Sequence, residues 1–191
     1  MTKKKKENYY EDCWLYILLL TTLAILLESL KRYTFQVSGV RISFSIILLP
    51  IVFLLVNFIV KKYDYKKGVA AIAISAVMAV AFNATVSFAL GEILILTNLT
   101  GEFCGYIVSQ LVNITVYTFL LNNTKSPILL VYLNYIFSLV VFYMFYTLIY
   151  LNLIVLDNFW IKYFITLVIQ SVICIPITII DKRIKRGYSK I

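Results

Sequence analysis

The chain has 191 residues, a mean hydropathy of +0.91 and a net charge of +9, and 62% of its residues are hydrophobic. Only 14% are charged, against about 25% in soluble domains, so the composition excludes a soluble fold and predicts an integral membrane protein. The basic residues cluster at the ends of apolar segments without any nucleic-acid-binding motif, so we expect the lipid bilayer, not nucleic acid, to be their partner.

Six apolar segments follow one another along the chain, each close to the ~20 residues that a helix needs to cross ~30 Å of hydrocarbon. They are continuous rather than alternating, so strands are not expected. The segments are 14–30, 43–60, 69–89, 103–121, 127–151 and 160–180. We predict an all-α bundle of six transmembrane helices. It forms one domain, residues 14–181, between basic cytoplasmic tails at 1–13 and 182–191.

The distribution of lysine and arginine predicts the orientation of this bundle. If the N-terminus is cytoplasmic, 14 of these residues lie inside and 4 lie outside, as the positive-inside rule requires. A count of five or seven helices would put the two basic ends on opposite sides. The first segment lacks a small-x-small cleavage site, so we interpret it as a retained helix and not as a signal peptide. We expect a multi-pass protein of the cell membrane with both termini in the cytoplasm.

The third segment carries small residues close to one helical face, which would let helix backbones approach closely. Packing within the protein is the first interpretation, and docking to a partner membrane protein is the alternative. The small residues are Ala73, Ala76, Ala79 (or Val80) and Ala84. Pro50 and Pro176 lie in or near the second and sixth segments, where they could kink a helix.

Residues near the segment ends suit the membrane interface. The glutamates Glu28 and Glu92 lie close to segment ends, where a solvated position accounts for them. Aromatic side chains flank the segments, as expected of interfacial belts. These aromatic residues are Tyr9, Tyr10, Trp14, Tyr33, Tyr63, Tyr65 and Trp160.

The fourth segment differs from the others because its polar residues share one face. The spacing i, i+4, i+8, i+11, i+15 keeps five side chains together on a helix. They are Glu102, Tyr106, Gln110, Asn113 and Tyr117. Amides pair with the edge of a small heterocycle and aromatic rings stack on its face, so the stripe favours a ligand or permeation surface. The alternative is that the amides only bridge neighbouring helices.

Several catalytic classes are excluded by the residues present. Histidine is absent, and no P-loop occurs. The aspartates, which an aspartyl-dyad membrane protease would need at segment centres, are Asp12, Asp64, Asp157 and Asp181, all outside those centres. The three cysteines have no metal-ligand spacing and suit small hydrophobic positions. We therefore predict a protein that is not an enzyme, with no metal and no cofactor.

Two stretches resemble the vitamin-uptake-type transporter family, also called the queuosine precursor transporter family. LLPIVFLLVNFIVKKYDYKKGVAAI (48–72) keeps that family's early proline, basic residue and aromatic residue as Pro50, Lys61 and Tyr63. IVSQLVNITVYTFL (107–120) is similar to its glutamine-x-x-aspartate helix through Gln110. In YLNYIFSLVVF, Asn134 matches an asparagine of the family's fifth helix.

The resemblance implies import of a deazapurine-type queuosine precursor and a fold related to the substrate-binding subunits of energy-coupling-factor importers. The substrate-binding residues that we expect are Asn57, Glu102, Tyr106, Gln110, Asn113 and Asn134. Asn57 and Asn113 stand where the family has aspartates, and an amide cannot carry negative charge. The substrate therefore differs, or Glu102 supplies the missing charge.

Three functions remain open at this stage. The first is an uptake transporter for a small heterocyclic compound. The second is a substrate-binding subunit that works with the coupling subunits of an ATP-driven importer, for which the small-residue face of the third segment would be one possible docking surface. The third is a non-transport membrane scaffold, in which Gln110 and Asn113 would bond only to neighbouring helices.

Overall fold

The computed structural model is mostly helical and describes residues 3–37, 39–91, 96–123, 133–141, 144, 161, 164–165, 168–169, 171–173 and 176. For residues 3–12, 40–41, 96–102 and 122 it describes the backbone only. The elements are α1 (Lys3–Leu30), β1 (Thr34–Val37), β2 (Val40–Ser43), α2 (Ser45–Lys62), α3 (Tyr65–Ala89) and α4 (Leu96–Asn123). Residues 133–141 are also helical and are called segment 133–141.

Four helices are long and apolar enough to cross a membrane. Their apolar stretches are Cys13–Leu30, Ser45–Lys62, Tyr65–Ala89 and Phe103–Leu121. These agree with the first four predicted segments and confirm a helical multi-pass membrane protein. Within the fifth and sixth predicted segments every described position is helical. The six-span count and the cytoplasmic termini stay predictions.

The first helix begins earlier than the sequence predicts. α1 starts at Lys3, so the backbone of the expected basic tail, residues 1–13, continues the first helix over its described part. Four lysines and no proline or glycine lie between Lys3 and Cys13, and lysine is a good helix former. The second tail, residues 182–191, lies outside the described residues.

The expectation of no strands is wrong between α1 and α2. β1 and β2 form an antiparallel hairpin in which Val37 pairs with Val40 and Thr34 pairs with Ser43. Gly39 lies in the connection with φ of +83°, a conformation that glycine adopts without steric cost. β-branched and aromatic residues on both sides of this turn favour strands. Hydropathy did not predict this hairpin because the hairpin lies outside the four apolar stretches.

The hairpin is attached to the bundle by a small apolar cluster. Ile42 of β2 and Ile46 of α2 are buried, and Phe35 of β1 packs against them. Ile165 and Ile169, which belong to the predicted sixth segment, pack there too. The cluster therefore fixes the connection between α1 and α2 against a distant part of the chain.

α2 and α3 are joined by a tight turn that brings their backbones together. Asp64 caps α3, its Oδ1 accepting the backbone N–H of Lys67 at 2.6 Å. One turn later Gly68 faces α2 so closely that a Cβ atom there would lie 2.4 Å from Val60 Cγ2. Tyr63 was expected at the interface, but it is buried, with its ring edge-on to Tyr16 at 5.9 Å.

The small residues of α3 serve packing, with one exception. Ala76 and Ala79 are buried and Ala84 is half-buried, so close helix packing accounts for them. Ala73 was placed on the same face, but it is exposed. The buried face of α3 instead passes through Ala71 and Ser75, because a helix of 3.6 residues per turn separates positions 73 and 75 by about 200°.

The helices pack around one apolar core and leave an apolar exterior. α1 packs against α2 and α3, and α4 packs against the same two helices. The core includes Leu20, Phe53 and Ile114, each fully buried. Large apolar side chains cover the outside, among them Trp14, Leu18, Val77, Phe88 and Phe119. An exterior of this kind suits contact with lipid.

Candidate functional site

The polar face of α4 points into the bundle. Tyr106 and Tyr117 are 6% exposed, and Gln110 and Asn113 are 0% exposed. The prediction that these four residues share an inward face is confirmed. Glu102 belongs to α4, but its side chain lies outside the description. Burial of two amides in a membrane helix is costly unless they find hydrogen-bond partners.

The Asn113 amide is the centre of a hydrogen-bonded cluster from three helices. Its Oδ1 accepts from Asn57 Nδ2 of α2 at 3.2 Å and from Asn134 Nδ2 of segment 133–141. Its Nδ2 donates to the Phe53 carbonyl at 3.2 Å and to Gln110 Oε1 at 3.4 Å. We call Asn57, Gln110, Asn113 and Asn134 the amide cluster. The structure thus brings together four of the six residues that the sequence predicts for the site.

Neighbouring contacts hold segment 133–141 against α2. The Tyr135 hydroxyl donates to the Pro50 carbonyl, and its ring lies edge-on to Phe53 at 5.7 Å. Ser138 Oγ donates to the Asn134 carbonyl at 2.7 Å. Tyr135 and Ser138 are both 0% exposed. These contacts place Asn134 beside Asn113, and sequence patterns alone did not single out either Tyr135 or Ser138 for the site.

Three polar atoms of the amide cluster have no hydrogen-bond partner among the described residues. They are Asn57 Oδ1, Gln110 Nε2 and Asn134 Oδ1. The oxygen and nitrogen of one side-chain amide are at most about 2.6 Å apart. Because the other polar atom of Asn57 and of Gln110 bonds directly to Asn113, Asn57 Oδ1 and Gln110 Nε2 lie within about 6 Å of the Asn113 amide. Buried polar atoms are nearly always satisfied. The cluster can therefore accept two further hydrogen bonds and donate one, either to a ligand that carries donors and an acceptor or to ordered water.

The amide cluster carries no charge of its own. All four side chains are neutral amides, and their partners are one another and the Phe53 carbonyl. No group of three His, Cys, Asp or Glu residues that could hold a metal ion occurs within the described part of the chain. The arrangement can hold a polar, uncharged group by hydrogen bonds, and it lacks a counter-ion for a cationic one.

Tyr106 belongs partly to a different environment. Its hydroxyl and Ser75 Oγ of α3 form a hydrogen bond of 3.1 Å, and Ser75 also donates to the Ile72 carbonyl at 3.0 Å. The sequence predicts Tyr106 as a stacking residue but misses Ser75. The only signal for Ser75 is a hydroxyl within an alanine-rich stripe, and such residues often bond only to their own helix.

A cleft lies beside Tyr106, between α1, α3 and α4. It is narrow, with a volume of about 10 Å³, room for about one water molecule. It is lined by Ala24, Glu28, Ala76, Ala79, Val80, Asn83, Phe103 and Tyr106. We call it the α1–α3–α4 cleft. The expectation that a solvated position accounts for Glu28 is wrong, because its side chain is only 13% exposed and pairs with Lys31 Nζ at 2.6 Å.

The chain was also compared with known proteins. No protein-family model, no curated protein and no solved structure matches it.

Proposed function

We propose that the chain is an uptake transporter of the cell membrane for a small heterocyclic compound, with a deazapurine-type queuosine precursor as its substrate. The six transmembrane helices and cytoplasmic termini belong to this proposal. The amide cluster is the substrate site in this account. The observation that supports it most is that three atoms of this buried cluster have no hydrogen-bond partner among the described residues.

The unpartnered atoms match one type of ligand edge. Asn57 Oδ1 and Asn134 Oδ1 can each accept a hydrogen bond, and Gln110 Nε2 can donate one. A guanine-type edge offers one carbonyl acceptor together with N–H donors. An adenine-type edge offers only one donor group and one acceptor to these three atoms, so the oxygen of one asparagine would stay unpaired. Leaving a buried polar atom unpaired is costly, which gives the site a basis for discrimination.

The absence of charge on the four amides bears on the charge of the substrate. The family that the chain resembles has aspartates where this chain has Asn57 and Asn113. A neutral cluster favours an uncharged substrate over one with a cationic amine. Asn113 itself already makes four hydrogen bonds, so it acts as a positioning residue. Asn57, Gln110 and Asn134 each keep an atom without a partner among the described residues, and these atoms would contact the substrate.

Uptake of labelled precursor by cells tests the proposal. We expect cells that express the wild type to accumulate the label. Gln110→Ala should reduce uptake at least about tenfold, since it removes the donor to the substrate carbonyl. Asn123→Ala, an exposed asparagine on the same helix, is the matched control and should transport normally. Equal uptake by wild type and Gln110→Ala at equal expression would remove Gln110 from the site.

A purely structural scaffold is a second candidate, and one observation favours it. Asn113 uses its whole hydrogen-bonding capacity within the protein, as expected of an amide that bridges helices. In this case ordered water alone would satisfy the remaining atoms of the cluster. Absence of any accumulation above cells with the empty vector, at normal expression of the protein, would favour the scaffold.

The substrate-binding subunit of an energy-coupling-factor importer is the third candidate. Ala73 is exposed on α3, and an exposed small residue lets another helix approach closely. Co-purification with a transmembrane coupling subunit and ATPases would support this candidate. Transport by the purified protein alone in vesicles would contradict it.

A further inference from the structure

The turn between α2 and α3 carries a dense positive charge. Residues 61–67 read KKYDYKK, with four lysines and one aspartate, so the net charge of this stretch is +3. Two of the lysines, Lys62 and Lys66, are exposed. Asp64 is engaged with the backbone, since its Oδ1 accepts the N–H of Lys67 at 2.6 Å. We call residues 61–67 the basic turn.

The basic turn lies at a membrane surface. Two stretches that can span the membrane, Ser45–Lys62 and Tyr65–Ala89, flank it directly, so only Tyr63 and Asp64 separate them. The headgroup layer is about 5–7 Å thick on each side of the hydrocarbon, and a lysine side chain can reach into it from a helix end. The distribution of basic residues predicts that this surface faces the cytoplasm, where the leaflet carries anionic lipids.

Neighbouring helices fix the shape of the basic turn. Tyr63 is buried, and its ring lies edge-on to Tyr16 of α1 at 5.9 Å. The hydroxyl of Tyr65 and the Oγ1 of Thr115 in α4 form a hydrogen bond of 3.3 Å. The turn is therefore held by both α1 and α4, and its charges belong to a preformed surface.

The Lys62 ammonium lies over two aromatic rings. Its Nζ is 4.8 Å from the centroid of Tyr16 and 5.2 Å from that of Tyr63, within the range of cation–π attraction. Lys61 Nζ likewise lies 5.7 Å from the centroid of the Phe58 ring. A lysine that is already ordered loses less side-chain freedom when it meets an anion. The rings therefore preorganise two of the four positive charges of the turn.

An exposed face of α3 continues from the basic turn into the membrane. Lys66, Ala70, Ile74 and Val77 are all exposed, and their spacing of i, i+4, i+8 and i+11 keeps them on one side of the helix. Lys66 is thus at the level of the headgroups, and apolar side chains of the same face lie deeper. This order matches a phospholipid, which joins a phosphate to acyl chains, and does not match free inorganic phosphate.

We propose that the basic turn is a binding site for the phosphate of an anionic phospholipid in the cytoplasmic leaflet. The Lys62 ammonium contacts the phosphate from its position over the two tyrosine rings, and Lys66 contacts it from the first turn of α3. The acyl chains lie on the exposed face below Lys66. The inference does not depend on the transport function, because the site lies outside the amide cluster.

Native mass spectrometry of the full chain in detergent tests the site, with phosphatidylglycerol as the anionic probe and phosphatidylcholine as the neutral one. We expect the wild type to bind the first phosphatidylglycerol at least about tenfold more tightly than the first phosphatidylcholine. Lys62→Gln and Lys66→Gln should each weaken phosphatidylglycerol binding about fivefold, the contribution of one basic residue near an anionic lipid surface. Both side chains are exposed, so both variants should fold, which gel filtration checks.

Two controls separate a built site from a general effect of charge. Arg32→Gln removes one exposed positive charge at the opposite end of the bundle, and it should change the affinity for phosphatidylglycerol by less than about twofold. Tyr16→Leu removes a ring beneath Lys62 and should weaken binding about two- to fivefold. Tyr16→Phe keeps the ring and should bind as the wild type does. Unchanged binding by Tyr16→Leu would overturn the role of the rings.

Equal affinity of the wild type for the two lipids would overturn the anionic site. An equal loss of affinity in Arg32→Gln and Lys66→Gln would do the same, because the net charge of the protein would then account for binding. Inorganic phosphate at millimolar concentration should not displace phosphatidylglycerol, and displacement would show that a free anion is the ligand and overturn the lipid assignment. None of these outcomes changes the expected uptake, so this inference and the transport proposal fail separately.

Discussion

At Asn113 both polar atoms of one side-chain amide are used twice. Oδ1 accepts from Asn57 and Asn134, and Nδ2 donates to the Phe53 carbonyl and to Gln110. Interhelical hydrogen bonds in membrane proteins contribute about 0.6 kcal/mol on average and up to about 2 kcal/mol. Three of these four bonds are interhelical, so Asn113 is the point at which three helices are held in register.

Removal of the Asn113 amide should therefore destabilise the bundle. We expect Asn113→Ala to lower the free energy of unfolding in mixed micelles by about 2–3 kcal/mol, since several buried partners lose their bonds at once. Asn123→Ala on the same helix should cost less than about 0.5 kcal/mol, because Asn123 is exposed and bonds only to the Phe119 carbonyl. A similar loss of unfolding free energy in Asn113→Ala and Asn123→Ala would show that the amide cluster contributes little to stability.

Residue patterns anticipated the inward face of α4 but not its partners. Spacing alone places Tyr106, Gln110 and Asn113 on one side of a helix. Which hydroxyl meets Tyr106 depends on how α3 is rotated against α4, and periodicity does not specify that rotation when apolar residues surround a membrane helix. Ser75 was missed for this reason. Asn57 and Asn134 were expected through the resemblance of short stretches.

At the scale of elements, hydropathy anticipated the four described spans and missed the hairpin. A run of apolar residues predicts a helix in lipid because every backbone group must bond within its own segment. The two strands are too short and too polar to be detected as apolar runs; they are Thr34–Val37 and Val40–Ser43. The sequence signal for these strands is the set of β-branched residues on both sides of Gly39, which favours a hairpin over a simple loop.

The close packing of α2 and α3 gives a test at this scale. Gly68→Ala places a Cβ against Val60 Cγ2, and overpacking of this kind costs about 1–3 kcal/mol. Val60→Ala removes the obstructing methyl groups, so the double variant should be more stable than the sum of the single effects predicts. Unfolding in mixed micelles measures this coupling.

Ala70→Val is the control for the Gly68 series. Ala70 is exposed on the same helix, so the larger side chain should change the free energy of unfolding by less than about 0.5 kcal/mol. Additive effects of Gly68→Ala and Val60→Ala would mean that α2 and α3 do not touch at this point.

For the whole molecule, the charge distribution predicts the topology. A green fluorescent protein fused after residue 191 should fluoresce, because it folds in the cytoplasm. Alkaline phosphatase fused after Val37 should be active, because that position follows only one span and faces outward. An active phosphatase at the C-terminus would mean an odd number of spans and would contradict the positive-inside argument.

The whole molecule combines an apolar exterior, a neutral buried cluster and a narrow cleft between α1, α3 and α4. The sequence predicted the exterior and the polar face from composition and period. It did not predict the cleft, because α1, α3 and α4 contribute residues from Ala24 to Tyr106 that approach only after packing. The orientation of Glu28 likewise depends on its pairing with Lys31.

The central claim is that the amide cluster binds a neutral heterocyclic edge, and equilibrium binding to the purified protein tests it most directly. Isothermal titration would compare 7-deazaguanine with 7-deazaadenine, for the wild type and Gln110→Ala. We predict that the wild type binds 7-deazaguanine at least about tenfold more tightly than 7-deazaadenine, and that Gln110→Ala loses most of this preference. Equal affinity of the wild type for both compounds, or no binding of either, would contradict the account.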